Sequence, residues 1–350
     1  MDTEDKFQFE NLLFCDQVSL DDYETKYKET RDPDYLYYKC HHLVDLGEYE
    51  KTTALLSRIR GHNSDAENSS RYLACLLKLE FFSGNLLHCK TIWKQIVEDD
   101  ESFSDKWLHM EYIRFLYHFD SPYVEDVLDD LLKNHPTFLP AILLKSDILT
   151  GVNRNNEALS YFEPYLARRP ECISIEACNS IAGCRLALND PEGAKKWIDK
   201  SFEVLEFSDT YILKGLYLEQ MNSDIDEIIN AYKKAVNLDR YNLDAFLNLS
   251  STLKQFKGDE ELVNFLEGIE ITELDQQNIA IGVLASYLLY INKKEAASYL
   301  AEIKEIFTEE DLIQLKGFID THLRDSEIQL SINDDFISLL QECMLSLKYN

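Results

Sequence analysis

The neighbours in the sequence best suited to chemistry are Cys40, His41 and His42, because a cysteine beside a histidine supplies a nucleophile and a general base. Adjacent residues of a helix, however, point about 100° apart and do not face each other. On a helix, Cys40 would pack inward while His41 would point out of the packed face. We therefore interpret these residues as structural or as contacts for a partner, and we predict no catalytic residue.

Other chemical patterns are equally weak. Cys172, Cys178 and Cys184 are spaced six apart, which does not place three thiolates on one helical face for a metal ion. The eleven glycines never fall within four residues of one another, so no glycine-rich phosphate loop is present. Acidic pairs such as Asp129 and Asp130 are typical of solvated helix faces. The sequence predicts no metal site and no cofactor, and an enzyme with an unrecognised site remains the alternative.

Charge limits the classes of partner. The 350-residue chain has a net charge of −29 and a pI near 4.6, a field that repels phosphate backbones and anionic lipid headgroups. We expect neither nucleic acid nor membranes as partners. The acidic start, residues 1–6, lacks the features of a signal peptide, and no apolar run reaches the roughly 20 residues of a membrane span. The expected compartment is the cytoplasm or the nucleus.

The elements that would position these residues are helices that recur along the chain. One column of mostly small or apolar residues recurs every 34 to 37 residues. Its members are Thr52, Cys89, Val124, Ala158, Ala194, Ile228, Leu262 and Ala296. Amphipathic helices alone give apolar residues at short spacings, so the information lies in the recurrence near 34.

Turn residues support the same register. Pro136 and Pro170 lie 34 residues apart, where the second helix of a pair must stop. Gly47 and Gly84 fall at the turn between the two helices of a pair. The helix around Gly215 fits the register only with one extra residue in its following turn.

With large residues at fixed points and small ones where two helices approach, the chain resembles the tetratricopeptide-repeat (TPR) family. The resemblance implies an all-α, right-handed superhelical solenoid of about eight helix pairs over residues 34–305, with a groove lined by the first helix (A) of each pair. We expect capping helices over 1–33 and 306–350, including helices near 20–30, 309–323 and 334–347. Ser19 is the expected N-cap of the first.

Positions 5 and 9 of each A helix face the groove in this family. The resulting candidates are Tyr37, His41, Lys78, Leu143, Asp147, Asn179, Ile212 and Leu247. The third repeat, read as His109 and Ile113, is uncertain by one residue. Co-chaperone members of the family clamp a carboxylate with Lys at position 5 and Asn at position 9, and this chain has neither. The expected partner is therefore a neutral or basic peptide, an amphipathic helix or a neighbouring TPR subunit.

A narrower resemblance lies in the first two repeats. The stretch Tyr35–Tyr38 and the run Arg71-Tyr72-Leu73-Ala74-Cys75 resemble the cell-division-cycle TPR subunits of the anaphase-promoting complex. This resemblance implies a non-catalytic scaffold of a ubiquitin ligase that forms a homodimer through its N-terminal half, although those subunits have about twice as many repeats. A free-standing TPR adaptor, or a co-chaperone without a carboxylate clamp, is the alternative.

Overall fold

The structure is a computed structural model. It describes residues 19–62, 68–97, 105–119, 121–168, 174–240, 242–269, 277–291, 295–296 and 298–299. The chain divides into two compact units, unit 1 over Met1–Leu205 and unit 2 over Glu206–Asn350. The predicted solenoid of residues 34–305 therefore extends over both units, and its outer boundaries stay a prediction.

Unit 1 is built from consecutive helices. In chain order they are α1 (Leu20–Thr30), α2 (Asp34–Asp45), α3 (Tyr49–His62), α4 (Ser70–Phe82), α5 (Leu86–Val97), α6 (Lys106–His118), α7 (Val124–Asn134), α8 (Leu139–Gly151), α9 (Asn155–Arg168), α10 (Ile175–Ala187) and α11 (Pro191–Val204). From α2 onward they form A and B pairs, and A helices also pack on the next A helix, as α2 does on α4 and α4 on α6. This is the all-α TPR-type solenoid that the family resemblance implies.

Helix α1 begins as predicted. Ser19 is its N-cap, and the Ser19 backbone N–H donates to Asp22 Oδ2 at 2.8 Å, which completes a capping box. Glu24 on the same helix binds Lys39 of α2 at 3.2 Å and Arg58 of α3 at 2.8 Å. The helix is thereby attached to the first repeat. The helices expected near 309–323 and 334–347 lie outside the described residues.

The turn from helix A to helix B repeats one local structure. Its αL residue is Gly47, Gly84, Asn153, Asn189 or Asn222, with φ between 52° and 78°. In each turn the next backbone N–H donates to a carbonyl five residues earlier, as from Glu48 to Leu43 at 2.8 Å. Glycine adopts this conformation without strain and asparagine tolerates it, so these residues end helix A.

Burial confirms the repeat register. All eight members of the recurring column are buried, from 0% exposure at Ala158 and Ala194 to 6% at Val124. The larger residues four positions later are also buried wherever the structure describes them. They are Leu56, Trp93, Leu128, Phe162, Ile198, Tyr232 and Leu266. The solenoid core is therefore the seam between paired helices, in which small residues admit a large neighbour.

Unit 2 continues the pattern. It contains α12 (Ser208–Gln220), α13 (Ile225–Leu238), α14 (Leu243–Phe256), α15 (Asp259–Glu267) and α16 (Gln277–Ser286), the last followed by a π-helical turn at Tyr287–Ile291. The turn between α12 and α13 has four residues, whereas the first two A-to-B turns have three, so the extra residue predicted there is confirmed. None of the helices that the structure describes is long and apolar enough to cross a membrane.

Candidate functional site

The A helices of three consecutive repeats in unit 1 enclose a surface groove of 580 Å³, here named the aromatic groove. Helices α4, α6 and α8 supply its walls. The lining residues are Phe81, Phe82, Met110, Arg114, Tyr117, His118, Pro140, Leu143, Leu144 and Asp147. On α6 and α8 these residues follow helical spacing, so each helix presents a single stripe to the groove.

The starts of α4 and α6 are fixed by side-chain caps. Ser69 accepts a hydrogen bond from the Tyr72 backbone N–H at 3.3 Å, which caps α4. Asp105 caps α6 by accepting from the Trp107 backbone N–H at 2.9 Å. The same Asp105 carboxylate binds Arg71 of α4 at 2.8 Å. One acidic residue thus caps the start of α6 and links it to the start of α4.

Aromatic side chains dominate one end of the groove. The Phe81 ring packs edge-on against Phe82 with centroids 5.5 Å apart and against His118 at 5.1 Å. The Arg114 guanidinium lies 5.9 Å above the Phe82 ring. Phe82 and Tyr117 remain 43% and 50% exposed. These two half-exposed rings give the groove an apolar surface that water covers in the free protein.

Asp147 is the acidic side chain of the groove, on the α8 stripe that also carries Leu143 and Leu144. Desolvation by these surroundings raises its pKa to about 6, although part of the side chain remains exposed. Within the described residues, its carboxylate forms no ion pair or hydrogen bond, and the Thr150 hydroxyl donates only to its backbone carbonyl.

The residues at the corresponding points of the first two repeats form a buried polar cluster. Lys78 on α4 is 1% exposed, and its Nζ binds Asp45 Oδ1 at 2.6 Å and donates to the His41 carbonyl at 3.2 Å. The His41 ring stacks on Trp107 at 4.4 Å, and neither ring nitrogen has a hydrogen-bond partner among the described residues. Burial, reinforced by the Lys78 charge, lowers the pKa of His41 well below its usual value.

Glu111 adds a buried carboxyl group to this region. It is 4% exposed, and its Oε1 lies 3.7 Å from Arg114 Nε, close enough for an ion pair but too far for a hydrogen bond. Burial raises the pKa of Glu111, while the charges of Arg114 and Lys78 oppose that shift. The charges of Lys78 and Arg114 are therefore paired with Asp45 and Glu111 inside unit 1.

The eight predicted groove residues have different surroundings. Leu143 and Asp147 line the aromatic groove. Tyr37, His41 and Lys78 are buried at 6%, 1% and 1% exposure, and they hold A helices together. For example, the Cys75 thiol donates to the Tyr37 carbonyl at 3.5 Å.

The remaining three candidates lie elsewhere. Asn179 on α10 is half-buried and is not among the residues that line the aromatic groove. In unit 2, Ile212 is 8% exposed and Leu247 is half-buried. A contact between a partner and any of the eight candidates stays a prediction.

Sequence reasoning missed most of the groove. In the third repeat the residues that line it are Met110 and Arg114, one position after His109 and Ile113. Phe82 and Tyr117 lie one turn beyond position 9, close to the A-to-B turns. The sequence signal that could have indicated them is an aromatic residue in the last turn of two consecutive A helices.

Unit 2 contains a polar pocket of 400 Å³ between α12 and α14. Its polar lining residues are Glu219, Asn222, Ser223, Asn248, Ser251, Thr252 and Gln255. The Thr252 hydroxyl donates to the Asn248 carbonyl at 2.8 Å and approaches Glu219 Oε1 at 3.3 Å. Amides and hydroxyls of this kind suit hydrogen bonds to a peptide backbone, but the pocket has less apolar surface than the aromatic groove.

Comparisons with known proteins support the fold alone. No family model and no curated protein matches the sequence. Human IFIT1, solved as a dimer with m7Gppp-AAAA, matches with a TM-score of 0.52 and 14% identity over 100% of this chain and 96% of that chain. Yeast Tom70 matches with a TM-score of 0.50 and 15% identity over 94% of this chain and 68% of that chain.

A third match is the APC/C hetero-tetramer Cut9-Hcn1. It is 14% identical over 97% of this chain and 69% of that chain, with a TM-score of 0.48. At that score the match adds nothing to the local sequence resemblance in the first two repeats. The comparisons are therefore consistent with a TPR-type helical solenoid, and they assign no partner or activity.

Proposed function

We propose that this TPR solenoid is a non-catalytic scaffold that binds other proteins through the aromatic groove of unit 1. The observation that carries the proposal is that two half-exposed rings, Phe82 and Tyr117 on consecutive A helices, line the same groove. Aromatic side chains are enriched among the residues that contribute most of the binding energy in protein–protein interfaces, and exposed apolar surface often marks such an interface. The volume of 580 Å³ suits a few side chains of a partner segment.

The competing function is an enzyme with an unrecognised site. Such an enzyme needs a nucleophile or base that a substrate can reach. In unit 1, Cys40 is 0% exposed and His41 is 1% exposed, with that imidazole stacked under Trp107. Within the described residues, no group of three His, Cys, Asp or Glu side chains is arranged to hold a metal ion. These observations favour the scaffold.

Protein is favoured over nucleic acid as the partner. One structural neighbour, human IFIT1, was solved with m7Gppp-AAAA. At 14% sequence identity, the similarity supports a common fold and carries no ligand over to this chain. The net charge of −29 opposes the approach of a phosphate backbone. The candidate partners are a neutral or basic peptide, an amphipathic helix or a neighbouring TPR subunit.

We further propose that the scaffold is a subunit of a multiprotein assembly such as the anaphase-promoting ubiquitin ligase, in the cytoplasm or the nucleus. The support is the local resemblance of Tyr35–Tyr38 and of the run Arg71–Cys75 to the TPR subunits of that complex. That resemblance also carries the proposal of a homodimer. The alternative is a free-standing adaptor, which would bind single partners and no ligase subunits.

The test compares partners captured by the wild type and by two double variants. Phe82→Ser with Tyr117→Ser removes the exposed rings of the groove. Leu87→Ser with Tyr123→Ser is the matched control, because these residues are 81% and 66% exposed and lie outside the groove. Affinity purification from the native source with quantitative mass spectrometry measures the captured proteins.

We expect the groove variant to lose its partners by about tenfold or more, since hot-spot aromatics contribute about 2 kcal/mol each. The control should retain them. Identical partner sets from the wild type and the groove variant would contradict the proposed use of the groove. Ligase subunits among the lost partners would favour the assembly, whereas their absence would favour the free-standing adaptor.

A further inference from the structure

Three charged side chains occupy corresponding points on consecutive A helices in unit 1: Lys78 on α4, Arg114 on α6 and Asp147 on α8. The two cations are already compensated. Lys78 is ion-paired with Asp45 at 2.6 Å, and Arg114 has Glu111 at 3.7 Å and the Phe82 ring beneath it. Both positive charges therefore have an acidic partner within the chain.

Asp147 is different, because none of the described side chains pairs with its carboxylate. Its side chain lines the aromatic groove and is exposed there, so a cation from outside can reach it. An accessible carboxylate without a counter-ion, set among apolar side chains, is complementary to a cationic side chain. The uncompensated charge of the aromatic groove is thus negative.

The surroundings of Asp147 restrict which cation can reach it. Leu143 and Leu144 share its stripe on α8, and Tyr117 of α6 lines the same groove. A segment bearing a cation must therefore bury apolar side chains beside it. Arg and Lys suit such a place because their aliphatic stems pack on apolar surface while the charged head reaches an anion.

We propose that the aromatic groove selects a protein segment that places one Lys or Arg side chain on Asp147 and aliphatic or aromatic side chains against Phe82, Tyr117 and Leu143. This inference rests on the proposed function of the groove and adds the chemistry of its partner. The net charge of −29 favours a basic segment from a distance, and Asp147 supplies the specific contact.

The probe is a display library of random 16-residue peptides, selected on the full chain. Selections run in parallel on the wild type, on Asp147→Asn, on Asp147→Lys and on the double variant Phe82→Ser with Tyr117→Ser. Glu163→Gln is the matched control, since it removes one negative charge from an exposed site on α9, the partner helix of α8. Circular dichroism verifies that each variant is folded.

We expect peptides from the wild type and from Glu163→Gln to combine apolar residues with Lys or Arg. Individual basic peptides should bind Asp147→Asn about tenfold more weakly by fluorescence anisotropy. Asp147→Lys should select Asp or Glu in place of the basic residue. Together these three results would support a cation-selective groove.

Two kinds of failure are distinguishable. If the wild type enriches no peptide over the Phe82→Ser, Tyr117→Ser variant, the groove does not bind peptides and the proposed function itself is wrong. If it enriches peptides that are no richer in Lys and Arg than in Asp and Glu, or that bind Asp147→Asn equally well, only the inference about the cation is wrong. An acidic pool that Arg114→Gln abolishes would assign the opposite polarity to the groove.

Discussion

Gly215 offers the sharpest test of the packing between paired helices. It lies inside α12, at the point where the side of Tyr232 from α13 packs against the helix backbone. A Cβ atom built on Gly215 would lie 2.5 Å from the Tyr232 Cζ, whereas carbon atoms in contact prefer about 3.5–4.0 Å. The Tyr232 side chain is 0% exposed, so the ring has no free space into which it can move.

Two opposing terms set the effect of Gly215→Ala. Alanine in a helix interior is favoured over glycine by about 1 kcal/mol. Overpacking a dense core costs about 1–3 kcal/mol, and an overlap of roughly 1 Å with a rigid ring belongs at the upper end. We therefore expect a net loss of about 2 kcal/mol in the free energy of unfolding of unit 2.

The matched control is Gly61→Ala on α3, because a Cβ there meets nothing within 4 Å. The control should be neutral or gain up to about 1 kcal/mol. The variant Tyr232→Val removes the ring that the new methyl group would meet. When Gly215→Ala is added to that variant, it should cause no further loss of stability.

Urea unfolding followed by circular dichroism gives the free energies. Because solenoid repeats can unfold separately, hydrogen exchange at the amides of α12 and α13 is needed to assign the loss to unit 2. A Gly215→Ala chain at least as stable as the wild type would refute the close approach of α12 and α13. The register of the sixth repeat would then be wrong.

Three further predictions address burial, charge and partner class. Ala158→Asp or Ala194→Asp places an unpaired carboxylate at a site that is 0% exposed, so melting temperature should fall by several degrees, and an unchanged midpoint in both variants would refute the column. The raised pKa of Asp147 means that the native chain holds its proton more tightly than the unfolded chain, so this group's stabilising contribution is present below about pH 4 and is lost as pH rises to about 6. The stability of Asp147→Asn relative to the wild type should therefore rise as pH increases from about 4 to 6, and a stability difference that does not change with pH would contradict the raised pKa. The purified chain should bind neither duplex DNA nor ATP at physiological salt, and micromolar binding in filter assays or calorimetry would contradict the scaffold.

The proposed homodimer cannot be tested by substituting the groove candidates of the first two repeats. Tyr37 and Lys78 are both buried within unit 1. Replacing them with acidic residues would unfold the repeats and would say nothing about a dimer. Sedimentation equilibrium of the wild type at tens of micromolar tests the dimer directly, and a purely monomeric chain would remove that part of the proposal.

The fold was largely predictable because its signals are local. Ala158 and Ala194 mark the seams of their pairs through spacing alone, and both are fully buried. Gly47 and Gly84 mark helix ends because their αL conformation needs no neighbour. The same αL position is occupied by Asn153, Asn189 and Asn222 in three other turns, and their role was not predicted from the sequence. Asparagine tolerates this conformation better than most residues other than glycine.

The site was less predictable because its properties depend on residues from other repeats. Position 9 reads Lys78 in the second repeat and Asp147 in the fourth, and sequence treats the two as equivalent groove residues. In the structure Lys78 is covered and paired with Asp45, while Asp147 stands at the groove without a counter-ion among the described residues. Whether a charge is paired depends on residues of another helix, which periodicity does not report.

By itself, the sequence determined the helical solenoid, its register and its acidic field, since each follows from local spacing or from composition. Only the tertiary structure decided that the His41 ring is stacked under Trp107 and that Phe82 and Tyr117 stand half-exposed around one groove. The physical reason is that exposure depends on which helices pack together. An amphipathic pattern fixes the face that is buried against a partner helix, but the ends of that face are covered or left open by side chains from repeats 30 or more residues away.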